Sequence, residues 1–98
     1  MNFFNTIAPR EGEETITELL RHNNVTINRI ASNRLSDGAW YDQEEDEWLM
    51  LVKGAALLLL DNEEIQLKAG DTLFIPAQQL HKVVSTSEDA LWLTVHID

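Results

Sequence analysis

The chain of 98 residues has no cysteine, only two prolines, and seven basic residues against 17 acidic ones. Without cysteine it can form neither disulfides nor thiolates, which fits a reducing compartment such as the cytoplasm. The formal net charge of −10 argues against nucleic acid and anionic membranes as partners, because phosphate groups require a cationic surface. The longest apolar run, Ala55–Leu60, is too short to span a bilayer, and no signal-peptide pattern opens the sequence.

The first 24 residues are predicted to form an N-terminal arm followed by a short helix over residues 13–22. Thr15 and Glu18 have the spacing of a capping box, in which each side chain binds a free backbone N–H at the start of a helix. Three apolar residues would then form one stripe along the helix: Ile16, Leu19 and Leu20.

Beyond residue 24 the chain alternates between short β-forming runs and turn residues. Turns recur about every 8–12 residues, as is typical of an all-β sandwich or barrel, so residues 25–98 are predicted to be a barrel within a single domain, 1–98. Arg29 either points inward toward acidic groups or lies on an outer face. The predicted strands are Val25–Ser32, 39–43, 47–52, Ala55–Leu60, Glu63–Lys68, Thr72–Ile75, His81–Thr86 and Ala90–Ile97.

Two motifs give the chain a family resemblance. Gly70 is followed by Pro76 and then by His81, and Glu47 is followed seven residues later by Gly54. In these positions the chain resembles the small single-domain cupins, and within them a bacterial subgroup of unassigned function. The resemblance implies a double-stranded β-helix, or jelly-roll, barrel.

The chain departs from the cupin pattern in its first motif. Cupins place two metal-binding histidines there, and in this sequence those positions fall on Tyr41 and Gln43, or on Trp40 and Asp42 in an alternative register. Neither register contains a histidine.

The resemblance implies a divalent transition metal such as Fe, Mn, Ni or Zn, held by three imidazoles and one carboxylate. The residues left to hold such a metal are Gln43, Glu47 and His81, of which only Glu47 and His81 are good ligands. In the alternative interpretation, His81 is a barrel-lining histidine that Glu47 or Tyr41 satisfies by hydrogen bonding.

Further candidates for ligand binding are aromatic or lie on the last strand. Trp40, Trp48 and Trp92 could form an aromatic-walled pocket, although tryptophans more often belong to the core. His96 shares one strand face with Trp92 and Thr94, and that face either lines the cavity or meets solvent. Tyr41 and Gln43 would orient a ligand beside them.

The resemblance leaves three functions open. The first is binding of a small molecule in the barrel cavity, with or without a divalent metal. The second is a cupin metalloenzyme, an oxygenase, isomerase or lyase, with Glu47 and His81 as the catalytic pair. The third is a non-catalytic interaction or sensing module. The family also implies a homodimer, with residues 1–7 as an arm that could be exchanged between subunits.

Overall fold

A computed structural model describes residues 1–36 and 38–98. Eight strands form two antiparallel sheets, one with the order β1-β2-β8-β3-β6 and the other with the order β5-β4-β7. None of the described residues forms a helix of the length and apolarity needed to cross a bilayer. The strands are β1 (Glu14–His22), β2 (Val25–Ser32), β3 (Asp46–Lys53), β4 (Ala55–Leu60), β5 (Glu63–Lys68), β6 (Thr72–Ile75), β7 (His81–Thr86) and β8 (Ala90–Ile97).

The predicted all-β barrel is confirmed, and β4 shows why its local pattern was informative. Its residues are apolar on both faces, and it is the central strand of the three-stranded sheet. Leu58 and Leu60 are buried in the core between the sheets. The hairpin to β5 turns at Asp61, whose φ of +51° is the left-handed conformation that tight hairpin turns require.

The helix predicted over residues 13–22 is wrong, because this segment is strand β1. It pairs antiparallel with β2 from Glu14 opposite Ser32 to His22 opposite Val25, and Asn23 turns the hairpin with a φ of +52°. The run Thr-Ile-Thr at its start is β-branched and suits a strand. Pairing with β2 therefore outweighs the helix-like spacing of the capping residues.

The strand predicted over residues 39–43 is also not formed. Within it only Tyr41 pairs, through an isolated bridge to His81. The segment enters close against β7, since a Cβ at Gly38 would lie 2.6 Å from the carbonyl oxygen of Val83. This connection therefore crosses the mouth of the barrel as a loop and carries Tyr41 to the histidine.

Arg29 lies on the face of β2 that points away from the barrel interior, and it is 6% exposed. Its guanidinium donates to the backbone oxygens of Phe3 (3.1 Å) and Asn5 (3.4 Å) and to the hydroxyl of Thr17 (3.4 Å). We call residues 1–10 the N-terminal arm. Arg29 thus fixes this arm to the outer face of the five-stranded sheet and takes no part in the interior.

Candidate binding site in the barrel cavity

A cavity of about 370 Å³ lies between the two sheets. This volume is within the range of small-molecule sites in proteins. Its walls combine apolar residues from both sheets with polar ones, and ten of the 20 described lining residues have polar side chains. The apolar walls include Leu49, Leu58, Ile75, Val83 and Trp92.

Glu47 is the central polar group of the cavity. It is 8% exposed, and β3 places it directly opposite His96 of β8. The side-chain amide of Gln43 donates a hydrogen bond of 3.0 Å to its Oε1, while Nε2 of His96 lies 3.9 Å from its Oε2. A carboxylate can only accept, so the amide nitrogen of Gln43 is the atom that faces it.

His81 opens β7 and faces Glu47 from the opposite sheet. Its Nδ1 lies 2.9 Å from the carbonyl oxygen of Gln79. Because a carbonyl can only accept, Nδ1 carries the proton, and in the neutral ring Nε2 presents a lone pair. Nε2 is 3.9 Å from Oε1 of Glu47, and the ring of Tyr41 stacks on the imidazole with its centroid 5.8 Å away.

The turn before His81 explains how the histidine is aimed. Gln78 occupies the position where the cupin pattern has glycine, and its φ is +65°. A side chain in this left-handed region costs roughly 1–2 kcal/mol. The backbone N–H of Gln78 donates a 2.7 Å hydrogen bond to the carbonyl of Gln43. This bond joins the segment before Glu47 to the turn before His81, which helps to hold Glu47 and His81 facing each other.

His96 and Thr94 both point into the cavity, which the alternation along β8 left undecided. Nδ1 of His96 is 3.2 Å from Oε1 of Glu45 but lacks hydrogen-bond geometry, so that this buried nitrogen has no hydrogen-bond partner among the described residues. The hydroxyl of Thr94 is likewise buried without a partner there, and the residue is 2% exposed. Neither atom therefore has its hydrogen-bonding capacity met by the described residues.

The three tryptophans have different surroundings. Trp92 lines the cavity at 4% exposure and donates a hydrogen bond of 3.2 Å from its indole to the hydroxyl of Ser32. Trp48 lies on the other face of β3 from Glu47, and Trp40 is 44% exposed beneath the ammonium of Lys82, 4.9 Å from the ring centroid. Neither Trp40 nor Trp48 is among the described lining residues, so only Trp92 is placed to contact a ligand in the cavity.

The donor set Gln43, Glu47 and His81 does not fit a divalent transition metal. Gln43 directs its amide nitrogen at the carboxylate, and a neutral amide nitrogen is not a metal ligand. His81 and His96 approach different oxygens of Glu47. Over residues 1–36 and 38–98, no group of three or more His, Cys, Asp or Glu side chains could hold a metal ion.

Polar lining residues that were not foreseen from the sequence include Glu14, Asn28 and Ser36. Glu14 lies at the cavity as part of β1, and the incorrect prediction of a helix over residues 13–22 gave no reason to expect it there. Burial raises the pKa of its carboxyl above the ordinary value of 4.5. Thr94 was placed on the face of His96, but nothing in the sequence indicated that its hydroxyl would have no partner.

Eight short strands in two facing antiparallel sheets, with polar groups gathered at one end of the interior, define a double-stranded β-helix barrel. The family model described as the cupin domain matches residues 29–96. The chain therefore belongs to the cupin domain family, and the resemblance seen in the two motifs is confirmed.

Several known proteins are similar to this chain. The crystal structure of a candidate mannose-6-phosphate isomerase from Ralstonia eutropha JMP134 is 34% identical, with a TM-score of 0.90, over 100% of this chain and 96% of that one. KdgF from Halomonas sp. is 19% identical, with a TM-score of 0.83, over 99% and 91% of the two chains. A cupin superfamily protein from Desulfitobacterium hafniense DCB-2 is 21% identical, with a TM-score of 0.77, over 93% and 83%. The last two likenesses show the fold alone.

One curated relative is an uncharacterised protein from Methanocaldococcus jannaschii. It is 40% identical over 38 residues, which are 39% of this chain. The matched stretch spans 30% of the length of that relative. This similarity adds no information on activity.

Proposed function

We propose that this cupin binds a small polar molecule in its barrel cavity, where Glu47 and His81 contact the ligand. The observation that supports this most is the approach of His81 and His96 to the two carboxylate oxygens of Glu47 in the cavity. Buried polar groups are normally satisfied by the protein, and two atoms here, the Thr94 hydroxyl and Nδ1 of His96, have no such partner among the described residues. A bound molecule would supply the missing hydrogen bonds.

Proton transfer is the second candidate function, and the 34% identical protein named as a candidate isomerase favours it. An isomerisation that moves a proton between adjacent carbons needs a base beside the substrate. The hydrogen bond from Nδ1 of His81 to Gln79 leaves Nε2 free to accept that proton, and Glu47 lies beside it to stabilise the resulting imidazolium. This chemistry needs no metal, in agreement with the poor fit of the donor set.

The experiment is native mass spectrometry of protein purified without an affinity tag, combined with metal analysis. We expect a bound small molecule that is lost in His81→Ala and retained in Trp48→Phe, a matched control outside the cavity. Stoichiometric Fe, Mn, Ni or Zn that is lost in His81→Ala would contradict the metal-free proposal and favour the metalloenzyme. Protein that is empty in both respects would favour an interaction module.

A homodimer in the cytoplasm is part of the same proposal. The cytoplasmic location is supported by the lack of cysteine, and the dimer by exposed apolar side chains on β1 and the N-terminal arm, among them Leu20 at 48% and Phe4 at 64% exposure. Light scattering should give twice the chain mass, and removing residues 1–7 should shift the equilibrium toward monomer. A monomeric full chain at micromolar concentration would contradict the dimer.

A further inference from the structure

The charged groups of the cavity are acidic. Glu14 and Glu47 both line it, and Glu45 contacts His96 from the rim. None of the seven lysines and arginines is among the described lining residues. With the two histidines neutral, the formal charge of the lining side chains is therefore −2, and protonation of one imidazole still leaves it negative.

Three of the seven basic residues have contacts outside the cavity. Arg34 pairs with Glu11 at 3.3 Å and with Glu88 at 2.9 Å, and Arg29 holds the N-terminal arm on the outer face. Lys82 lies over Trp40, which is not a lining residue. No Lys or Arg among the described lining residues is thus placed to pair with an anionic ligand.

The polar atoms that face the cavity include several hydrogen-bond acceptors, alongside donor groups on Asn28, Ser36 and Tyr41. Glu47 can only accept, and Nε2 of neutral His81 presents a lone pair. The hydroxyl of Thr94 can accept as well as donate, and that of Ser32 already accepts from Trp92. A cavity of this kind is complementary to a molecule that brings its own N–H or O–H groups.

A phosphate ester would meet the opposite of what it requires. It carries between one and two negative charges near neutral pH and offers mainly acceptor oxygens. Inside this cavity those oxygens would lose water and face carboxylates, and no Lys or Arg among the described lining residues would replace the lost hydration. Desolvation also raises the pKa of the Glu14 carboxyl, because burial disfavours its charged form.

We infer that the ligand of this cavity carries hydroxyl or ammonium donors and no phosphate or carboxylate group. This inference rests on the proposed small-molecule binding in the cavity and names the class of molecule bound. It implies that this chain does not bind a phosphorylated sugar like the one in the name of the 34% identical protein, since no Lys or Arg is among the described lining residues. Glu47 would accept from one donor group of the ligand, and the hydroxyl of Thr94 would hydrogen-bond a second group.

The test uses three probes with one carbon skeleton: D-mannose, D-mannosamine and D-mannose 6-phosphate. Titration calorimetry on the full chain should show binding of the neutral and cationic probes at least about tenfold tighter than binding of the phosphate ester. Thr94→Val should weaken both of the favoured probes several-fold. Glu14→Lys places a cation at the cavity and should reduce the difference in affinity between D-mannose and D-mannose 6-phosphate by about tenfold.

The failures of the two proposals can be told apart. Tighter binding of D-mannose 6-phosphate than of D-mannose by the unaltered chain would overturn the inference and leave small-molecule binding intact. No binding of any of the three probes at millimolar concentration would overturn the proposed function for ligands of hexose size, and the inference with it.

A second measurement determines the sign of the electrostatic potential in the cavity of the ligand-free protein. In a Trp40→Phe, Trp48→Phe background, the fluorescence reports only Trp92, which lines the cavity. Caesium should quench it more strongly than iodide, each relative to free tryptophan, and Glu14→Gln should reduce that preference. Stronger quenching by iodide would overturn the inference.

Discussion

Replacing Thr94 with valine should make the protein more stable and a poorer binder. Valine has nearly the shape of threonine but no hydroxyl, and the Thr94 hydroxyl is buried without a partner among the described residues. Leaving such a group unsatisfied costs roughly 1–3 kcal/mol, and the substituted methyl group adds apolar contact with the cavity wall. We therefore expect the free energy of unfolding to rise by about 1 kcal/mol.

Urea denaturation of the ligand-free protein measures this change directly, since the slope should stay constant while the midpoint rises. For a domain of 98 residues, the same gain should raise the melting temperature by about 4–8 °C. Ligand affinity should fall about fivefold, the equivalent of one ordinary hydrogen bond.

Thr86→Val is the matched control, because its hydroxyl is fully used. It donates to the carbonyl of Ser87 at 3.1 Å and accepts from the backbone N–H of Leu35 at 3.1 Å. This variant should lose about 1–2 kcal/mol. If Thr94→Val instead destabilises the protein by more than about 0.5 kcal/mol, its hydroxyl has a partner in the native state, and the reasoning is refuted.

Three further predictions concern other parts of the fold. Glu14→Gln should raise the melting temperature at pH 7 but not below about pH 4.5. The raised pKa means that the ionised carboxylate costs stability at pH 7, and this cost is absent where the carboxyl is protonated. An equal effect of the substitution on the melting temperature at both pH values would contradict this. Gly54→Ala should lower the free energy of unfolding, measured in urea, by about 3 kcal/mol, because φ is +88° and a Cβ would lie 2.9 Å from a backbone atom of β8. Gly70→Ala is the control, since φ is +93° but the space around it is open, and it should cost only about 1 kcal/mol. Arg29→Met should accelerate hydrogen exchange in the N-terminal arm by releasing its backbone oxygens, and unchanged protection there would show that the arm is held by other contacts.

Most of the barrel could be predicted because its strands are punctuated locally. The turn at Asp61 and the alternation of β5 define a hairpin within fourteen residues of chain, and the β4–β5 pairing follows. Strand β1 could not be predicted in the same way. Its residues satisfy both a helical spacing and a β-branched run, so pairing with β2 decides between the two conformations.

The residues of the candidate site were likewise predictable only where a local sequence motif marks them. Glu47 and His81 were found because the cupin motifs mark them at fixed spacing. The role of His96 depended on which face of β8 points inward, and the register of β3 against β8, which sets His96 opposite Glu47, decides that. Arg29 had two predicted orientations, and contacts with the N-terminal arm, remote in sequence, place it on the outer face in a buried position.

The sequence by itself determined the β-barrel family and the two motif residues that face each other, because turn chemistry and motif spacing are local properties of the chain. Its acidity also predicts that nucleic acid and anionic membranes are not partners, which stays a prediction. Only the tertiary structure decided that the cavity is lined by carboxylates without a cation, that the Thr94 hydroxyl has no partner among the described residues, and that the donor set does not suit a metal. These properties depend on distances between strands far apart in the chain, which arise only when the sheets pack.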